Sequence, residues 1–556
     1  MFEKNLNYIT NEPLKKRLSR LSLEQSRVGI TYVVTPSKDY VLLKDDMPVE
    51  DLNDPKEAVK KMLSENIKNE MKSNDFIVMF GIGLGYLLDE AFNKYPSQIY
   101  VYEPDLKLLH FVLCNIDISE HLASGRVYIT DDLNELIAKL DSSYLTKDKV
   151  EVVYLQNYGI VRNKDLLLMT QKVLDTCRSK MVDINTITKF SQKWLTNTLN
   201  NLNIINNNTA YLLSDLEDKF AGQTALILGA GPSLAHNIEK IQANRNKFVI
   251  FAVNKAIKYL VLNGVIPDFA VCLDAGNMLK TLDVADEYIE RMNCIIDIRT
   301  DKDIFKKPFR RFFVNFSESD FLIKKIAKFN SFMKFYESGG SASIMALVSA
   351  VKLGFAKAVL AGIDLAFDGN VIYADGQTME RVSQNDIMVD AVKKHLATVK
   401  SVNGGTVQTR EDYVSFIHHF EVIIKELKYT EIYNLSKFGA AIEGVKPTEF
   451  EYLNLFTPAN TVALATLTPF KVELQDFIQD EFFNINNIIS LLSKGVFSPA
   501  LVSSIVKSVL VYQYMQREIL TILQRNFEPE IAEDFIAKTK SAIKVIVETL
   551  QQYKLI

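Results

Sequence analysis

The chain has 556 residues, enough for about three to five domains, and its 48% hydrophobic and 24% charged residues are those of a globular protein, which excludes a long disordered chain. Its 64 basic and 68 acidic residues leave a net charge of −4, so composition gives no case for nucleic-acid binding. The cysteines Cys114, Cys177, Cys272 and Cys294 are isolated, which excludes a disulfide framework or a zinc knuckle.

Residues 1–70 are polar and mixed, with short strand patterns around Pro36 and a helical charge pattern over Lys56–Lys72. They read as an accessory segment. The amino terminus carries no apolar signal-peptide core. Residues 71–165 change character. The apolar run Phe76–Phe80 enters Gly81-Ile82-Gly83-Leu84-Gly85, a helix follows, and Ile99–Tyr102 ends in Glu103. Strand, glycine turn, helix, strand and acid make the first unit of a Rossmann-like sheet. The turn also resembles the cofactor loop of class I methyltransferases, but no methyltransferase tetrapeptide follows, and a scaffolding role is favoured. Residues 166–218 are helical and rich in asparagine, which reads as a helical linker.

Residues 219–449 alternate short apolar strands with helices. That pattern specifies a mostly parallel, doubly wound sheet with its polar residues at the carboxyl ends of the strands, where ligands bind. From residue 450 to 556 strand signals fade into helices. The tail reads as an all-α domain suited to docking a partner or to homo-oligomer contacts. Apolar runs such as Phe76–Leu88 and Ala346–Ile363 are interrupted by glycines or lysines, and a membrane span needs about 20 apolar residues. The whole reads as a cytoplasmic, multidomain α/β protein.

Four constellations carry chemistry. Gly229-Ala230-Gly231-Pro232-Ser233 joins a strand to a helix, where free amides and the helix dipole favour an anion. Asn254 ends the next strand, where dinucleotide enzymes place an acid; a helix cap is its plain reading. Ser338-Gly339-Gly340-Ser341 opens a helix and offers a second anion or ribose cradle. Asp274 and Asp364 end buried strands and are candidate acids or bases. None of the six histidines has metal-ligand spacing, and His395 is a candidate base. No metal and no cofactor is expected.

The segments ILGAGPSL (227–234), FAVNKAI (251–257), IPDFAVCLDAG (266–276), ESGGSAS (337–343), LGFAKAVLAGIDLAF (353–367) and IYNLSKFGAAIEG (432–444) together resemble the motility-associated factor family of flagellin glycosyltransferases. That family has a bacterial sialyltransferase-like core between a Rossmann-like domain and a helical tail. The resemblance implies inverting transfer of a nonulosonic acid from its CMP donor to Ser or Thr of flagellin. It implies that Gly229, Gly231, Pro232 and Ser233 line the donor phosphate. Asn254 and Ser338–Ser341 would hold cytidine and ribose, with Asp364 and Tyr373 near the sugar. Two departures stand out. Ala230 replaces an Asn between the glycines, and Val407-Gln408-Thr409 occupies the place of the family's histidine. Asp274, Asp364 and His395 are then the candidate bases, and Lys255 or Arg310-Arg311 the candidate cations for the sugar carboxylate. A pterin diphosphokinase using ATP and a non-catalytic flagellin-binding assembly factor are the alternatives.

Overall fold

The computed structural model describes residues 1–145, 148–207, 210–276, 278–378, 396–427, 430–453, 455, 467–495, 497–524 and 529–555. They form two compact units, Met1–Ile184 and Asn185–Ile556. Neither boundary expected near residues 70 and 450 separates compact units. In the first unit, the antiparallel strands β1 (Ile30–Val34), β2 (Tyr40–Lys44) and β3 (Met47–Pro48) precede the parallel strands β4 (Phe76–Phe80), β5 (Gln98–Tyr102), β6 (Val127–Thr130) and β7 (Val150–Tyr154). The parallel sheet has the order β6-β5-β4-β7. β4 is central and buried along its whole length, which is why it reads as an unbroken apolar run. Leu14, Leu42, Val59 and Leu63 join the same apolar core, so the first 70 residues are part of this unit and not an appendage.

The glycine turn after β4 is closed around two carboxylates of its own unit. Glu103 Oε2 accepts from the Ile82 amide at 3.1 Å, and Glu50 Oε1 accepts from the Leu84 amide at 2.5 Å. A Cβ on Gly81 would lie 2.7 Å from the Tyr158 ring, and one on Gly83 would lie 2.8 Å from Leu155 and collide with Glu50. The glycines therefore serve close packing of the protein against itself.

Burial pushes both Glu50 and Glu103 up to about 7, against pulls from amide donors and, for Glu103, the Tyr158 hydroxyl. A carboxyl whose folded value exceeds its unfolded value binds its proton more tightly when folded. Its stabilising contribution is full below the ordinary value of 4.5 and is lost as pH rises through about 7. Each group is expected to account for about 3 kcal/mol of that loss. Hydrogen exchange of the β4 and β5 amides at pH 5 and pH 8 measures it. Glu103→Gln is expected to flatten the pH dependence, and an unchanged slope would refute the assignment.

The second unit is built on a nine-stranded parallel sheet of order β18-β17-β14-β9-β10-β11-β12-β13-β8. Its strands are β8 (Tyr211–Leu212), β9 (Thr224–Leu228), β10 (Val249–Val253), β11 (Phe269–Cys272), β12 (Asn293–Asp297), β13 (Arg311–Asn315), β14 (Lys357–Ala361), β17 (Glu431–Asn434) and β18 (Lys446–Pro447). A hairpin of β15 (Leu396–Lys400) and β16 (Thr406–Arg410) stands outside the sheet. Apolar clusters cover both faces.

The tail helices Gln475–Leu492, Pro499–Lys507 and Val509–Tyr514 put Phe477, Ile488, Ile505 and Leu510 into the cluster that holds Leu226, Ile250 and Ile296 of the sheet. Glu481, fully buried, accepts from the Ser508 hydroxyl and from the amides of Val509 and Leu510, and pairs with Lys325. The tail is thus packed into the core unit. No helix among the described residues is long and apolar enough to cross a membrane.

Candidate functional site

Strands β9 to β13 advance in one direction across the sheet, and β14 and β17 lie on the other side of β9. The chain therefore reverses its winding between β9 and β14. The carboxyl ends of strands at such a reversal form the ligand crevice of open α/β sheets. The edge carries Gly229 after β9, Asn254 after β10, Asp274 after β11, Arg299 after β12 and Asp364 after β14.

The glycine turn at 229–233 is spent on its neighbour. The Gly229 amide donates to Ala361 O at 2.9 Å, and the Gly231 amide to Gly362 O at 2.8 Å. The Ser233 amide donates to Asp364 Oδ2 at 2.9 Å, and the Ser233 hydroxyl oxygen accepts from the Gly362 amide at 2.9 Å. Ala374 N donates to Ala230 O at 2.8 Å, so the following loop covers the turn. A Cβ on Gly229 would lie 2.8 Å from the Gly362 carbonyl carbon, and one on Gly231 would lie 2.7 Å from its oxygen. This corrects the expectation that Gly229, Gly231 and Ser233 offer amides to a donor phosphate. The anion at this helix N-terminus is the protein's own Asp364. Pro232, which has no amide hydrogen, precedes the helix Ser233–Ala243.

Asp364 is 2% exposed. Burial pushes its carboxyl up, while hydrogen bonds from Ser233 and Ser436 pull it down. Its Oδ2 holds the Ser233 amide, while its Oδ1 is buried without a hydrogen-bond partner among the described residues. His395 lies outside the described residues.

The open part of the edge starts at Asn254. Its amide nitrogen donates to Asp274 Oδ2 at 3.1 Å and to Thr281 Oγ1 at 3.0 Å. The helix Asn254–Leu262 has no side-chain cap, so the plain capping role does not hold for Asn254. Asp274 is exposed beside it. Lys255 Nζ sits 5.8 Å from the Tyr373 ring. The Tyr373 phenol first, and then Asp274, raise the ammonium of Lys255 against the like charge of Arg410. Arg410, at the end of β16, pairs with Asp412 at 2.8 Å and lies 4.5 Å from the Tyr413 ring. Sequence reasoning missed Arg410 and Tyr413 because Thr-Arg-Glu-Asp forms no motif; only the hairpin carries them to this edge.

In the second cradle Glu337 Oε1 accepts from the amides of Ser338 and Gly339 at 2.9 and 3.0 Å, and the Ser341 amide donates to Ser338 O at 3.1 Å, so only the helix start beyond Ser341 is left to an anion. Gly339 and Gly340 take φ of +53° and +68°, and the helix Ala342–Lys352 begins after Ser341 without a side-chain cap. Ser338, buried, has its hydroxyl 3.4 Å from that of Ser317 and 3.5 Å from Arg299 Nη2. Arg299 is held by both oxygens of Asp297, at 2.8 and 3.1 Å, and lies 5.4 Å from the Trp194 ring. The geometry thus offers an uncapped helix start, an exposed carboxylate at Asp274 and cations at Lys255 and Arg410. Arg310 and Arg311 stand at the other end of β13 and are not part of this edge. Among the described residues no cluster of metal-ligating side chains occurs.

The asparagine-rich stretch is helical, and the boundary between the two compact units falls within it. One helix, Asn163–Asn207, runs through it. Asn197 and Asn201 are four apart and so share a helix face. Asn197 Nδ2 donates to Ala275 O at 2.9 Å and Arg299 O at 3.0 Å; Asn201 Nδ2 donates to Ile298 O and Thr300 O, both at 2.8 Å. These amides fix the loops that present Asp274 and Arg299. Asn201→Leu leaves two buried carbonyls unpaired and is expected to cost about 2–4 kcal/mol. Urea unfolding of the full chain checks this, and a loss below about 0.5 kcal/mol would show that the loops hold themselves.

Residues 196–370 match the family described as 6-hydroxymethylpterin diphosphokinase MptE-like. An uncharacterized protein of Treponema pallidum (strain Nichols) is 36% identical over 93 residues, 16% of this chain and 42% of that protein. The chain thus spans less than half the length of this relative. The Maf glycosyltransferase of Magnetospirillum magneticum AMB-1 superposes with a TM-score of 0.63 at 16% identity, over 99% of this chain and 96% of its own. The resemblance read from residues 227–444 is therefore matched in three dimensions, and over its length the chain has the fold of a Maf glycosyltransferase.

Proposed function

We propose that the protein is a glycosyltransferase that moves a nonulosonic acid (pseudaminic, legionaminic or sialic-type) from its CMP donor to Ser or Thr hydroxyls of flagellin in the cytoplasm. The observation that carries this reading is the fold shared with a Maf glycosyltransferase over 99% of the chain. The crevice fits the chemistry. Asp274 takes the proton of the acceptor hydroxyl, oriented by the Asn254 amide. The acceptor oxygen bonds to the anomeric carbon as the bond from that carbon to the phosphate oxygen breaks, inverting the centre. CMP leaves with its phosphate at the uncapped start of the helix Ala342–Lys352. Lys255 and Arg410 face the sugar carboxylate.

Flagellin co-expressed with the protein and a nonulosonic-acid pathway tests the reading by intact mass. An increment of one sugar per modified site, absent without the protein, is expected; unmodified flagellin overturns it. The match of residues 196–370 to MptE-like proteins supports a second reading, diphosphate transfer from ATP to a pterin. Thermal shift separates the two. Stabilisation by CMP favours the glycosyltransferase, and stabilisation by ATP with Mg²⁺ but not by CMP favours the diphosphokinase.

A further inference from the structure

A cavity of about 490 Å³ lies at the amino end of β13, lined by Arg310 and Arg311. Tyr211 of the edge strand β8 and Phe305, Phe309 and Phe312 form its apolar wall. The volume falls within the range of small-molecule sites, roughly 300–1,000 Å³. The rings are fixed against one another. Phe305 and Phe312 have centroids 4.7 Å apart, and Phe309 meets Phe312 edge-on at 5.6 Å. The strand runs from Arg311 to Asn315, so about 13 Å of extended chain separates the cavity from the crevice at the carboxyl ends.

Arg311 Nη1 is buried without a hydrogen-bond partner among the described residues. A buried donor left unpaired is costly, and a charged one more so. Such groups in a folded protein call for a specific reason. Arg310 is exposed at the mouth. The cavity therefore combines an unmet guanidinium, a second guanidinium and an aromatic wall.

We infer that this cavity is a second binding site, separate from the crevice, for a small anion that carries a planar ring, of the aryl phosphate or aryl carboxylate class. The anion pairs with the part of the Arg311 guanidinium that lines the cavity, with exposed Arg310 beside it. Arginine matches the geometry of both phosphate and carboxylate. The ring packs against the phenylalanines and Tyr211, where aromatic pairs gain energy beyond simple burial. The inference does not rest on the proposed reaction.

Calorimetry on the full chain tests it with phenyl phosphate, benzoate, inorganic phosphate and phenol as probes. Phenyl phosphate or benzoate is expected to bind at least about tenfold more tightly than inorganic phosphate or phenol, because neither half suffices alone. Whichever of the two binds more tightly names the anion. Arg311→Met is expected to weaken binding about tenfold or more. It should also leave the melting temperature of the free protein unchanged or raised, since an unpaired buried donor is removed. Arg310→Ala, at an exposed position, keeps the test valid if Arg311→Met fails to fold, and should weaken binding several-fold. Absence of binding by both aryl anions at millimolar concentration overturns the inference. So does affinity that survives the Arg310 and Arg311 substitutions.

Discussion

Gly362→Ala is expected to destabilise the unit Asn185–Ile556 by about 2–5 kcal/mol. Gly362 has φ of +69°, a conformation that costs an L-residue about 1–2 kcal/mol. Its new Cβ would lie 2.9 Å from both the Gly229 carbonyl carbon and Leu234 Cβ. Overpacking of that kind adds about 1–3 kcal/mol, and the backbone atom has no flexible end to swing aside. The displaced loop would carry Asp364 away from the Ser233 amide and uncap the helix Ser233–Ala243. The urea midpoint of the full chain, followed by circular dichroism, measures the loss. A midpoint equal to that of the unsubstituted protein would mean that the two loops part easily, and it would return the glycine turn to the list of phosphate cradles.

Asp274→Asn is expected to lower the rate of sugar transfer by about 100- to 10,000-fold, the range for loss of a general base, with an unchanged urea midpoint. The side chain is exposed, and an asparagine oxygen still accepts from Asn254. Asp364→Asn is expected to behave in the opposite way. It removes a buried negative charge from a helix N-terminus, at a cost of about 1 kcal/mol, and its effect on rate should follow stability. Single-turnover transfer to purified flagellin, alongside unfolding, separates the two carboxylates. If Asp274→Asn keeps the full rate, the proton is taken elsewhere and the role given to Asp274 is withdrawn.

Both strand-turn-helix units were legible in the chain. Phe76–Phe80 and Thr224–Leu228 are buried on both faces, so their sequences are continuous apolar runs that announce central parallel strands. The glycine turns after them were legible as places where backbone comes close to something. What comes close was not legible. At Gly83 it is Glu50, 33 positions earlier in the chain, and at Gly231 it is Asp364, 133 positions later. A glycine records only that space is scarce, and the same residue serves a ligand phosphate or a neighbouring carbonyl.

The asparagines at 197 and 201 show the same limit. Their spacing puts them on one helix face, yet a polar face reads as solvent until the loops at Ala275 and Ile298–Thr300 are seen to need donors. The tail was legible as helical. That its apolar stripes are buried in the core cluster, with Glu481 capping and pairing inside the unit, depends on contacts between distant segments.

The sequence by itself determined the alternation of strands and helices, the polar carboxyl edge and the resemblance to the motility-associated factor family, because these rest on local periodicity and on short motifs read in order. The tertiary structure alone decided that one helix N-terminus is filled by Asp364, while at the other Glu337 takes the amides of the turn and leaves the first turn of Ala342–Lys352 without a side-chain cap. It alone brought Arg410 to Lys255 and turned Arg311 into a separate cavity. Each of these is a question of which polar group meets which across the sheet. Burial and hydrogen-bond satisfaction answer it in three dimensions, and no local pattern encodes it.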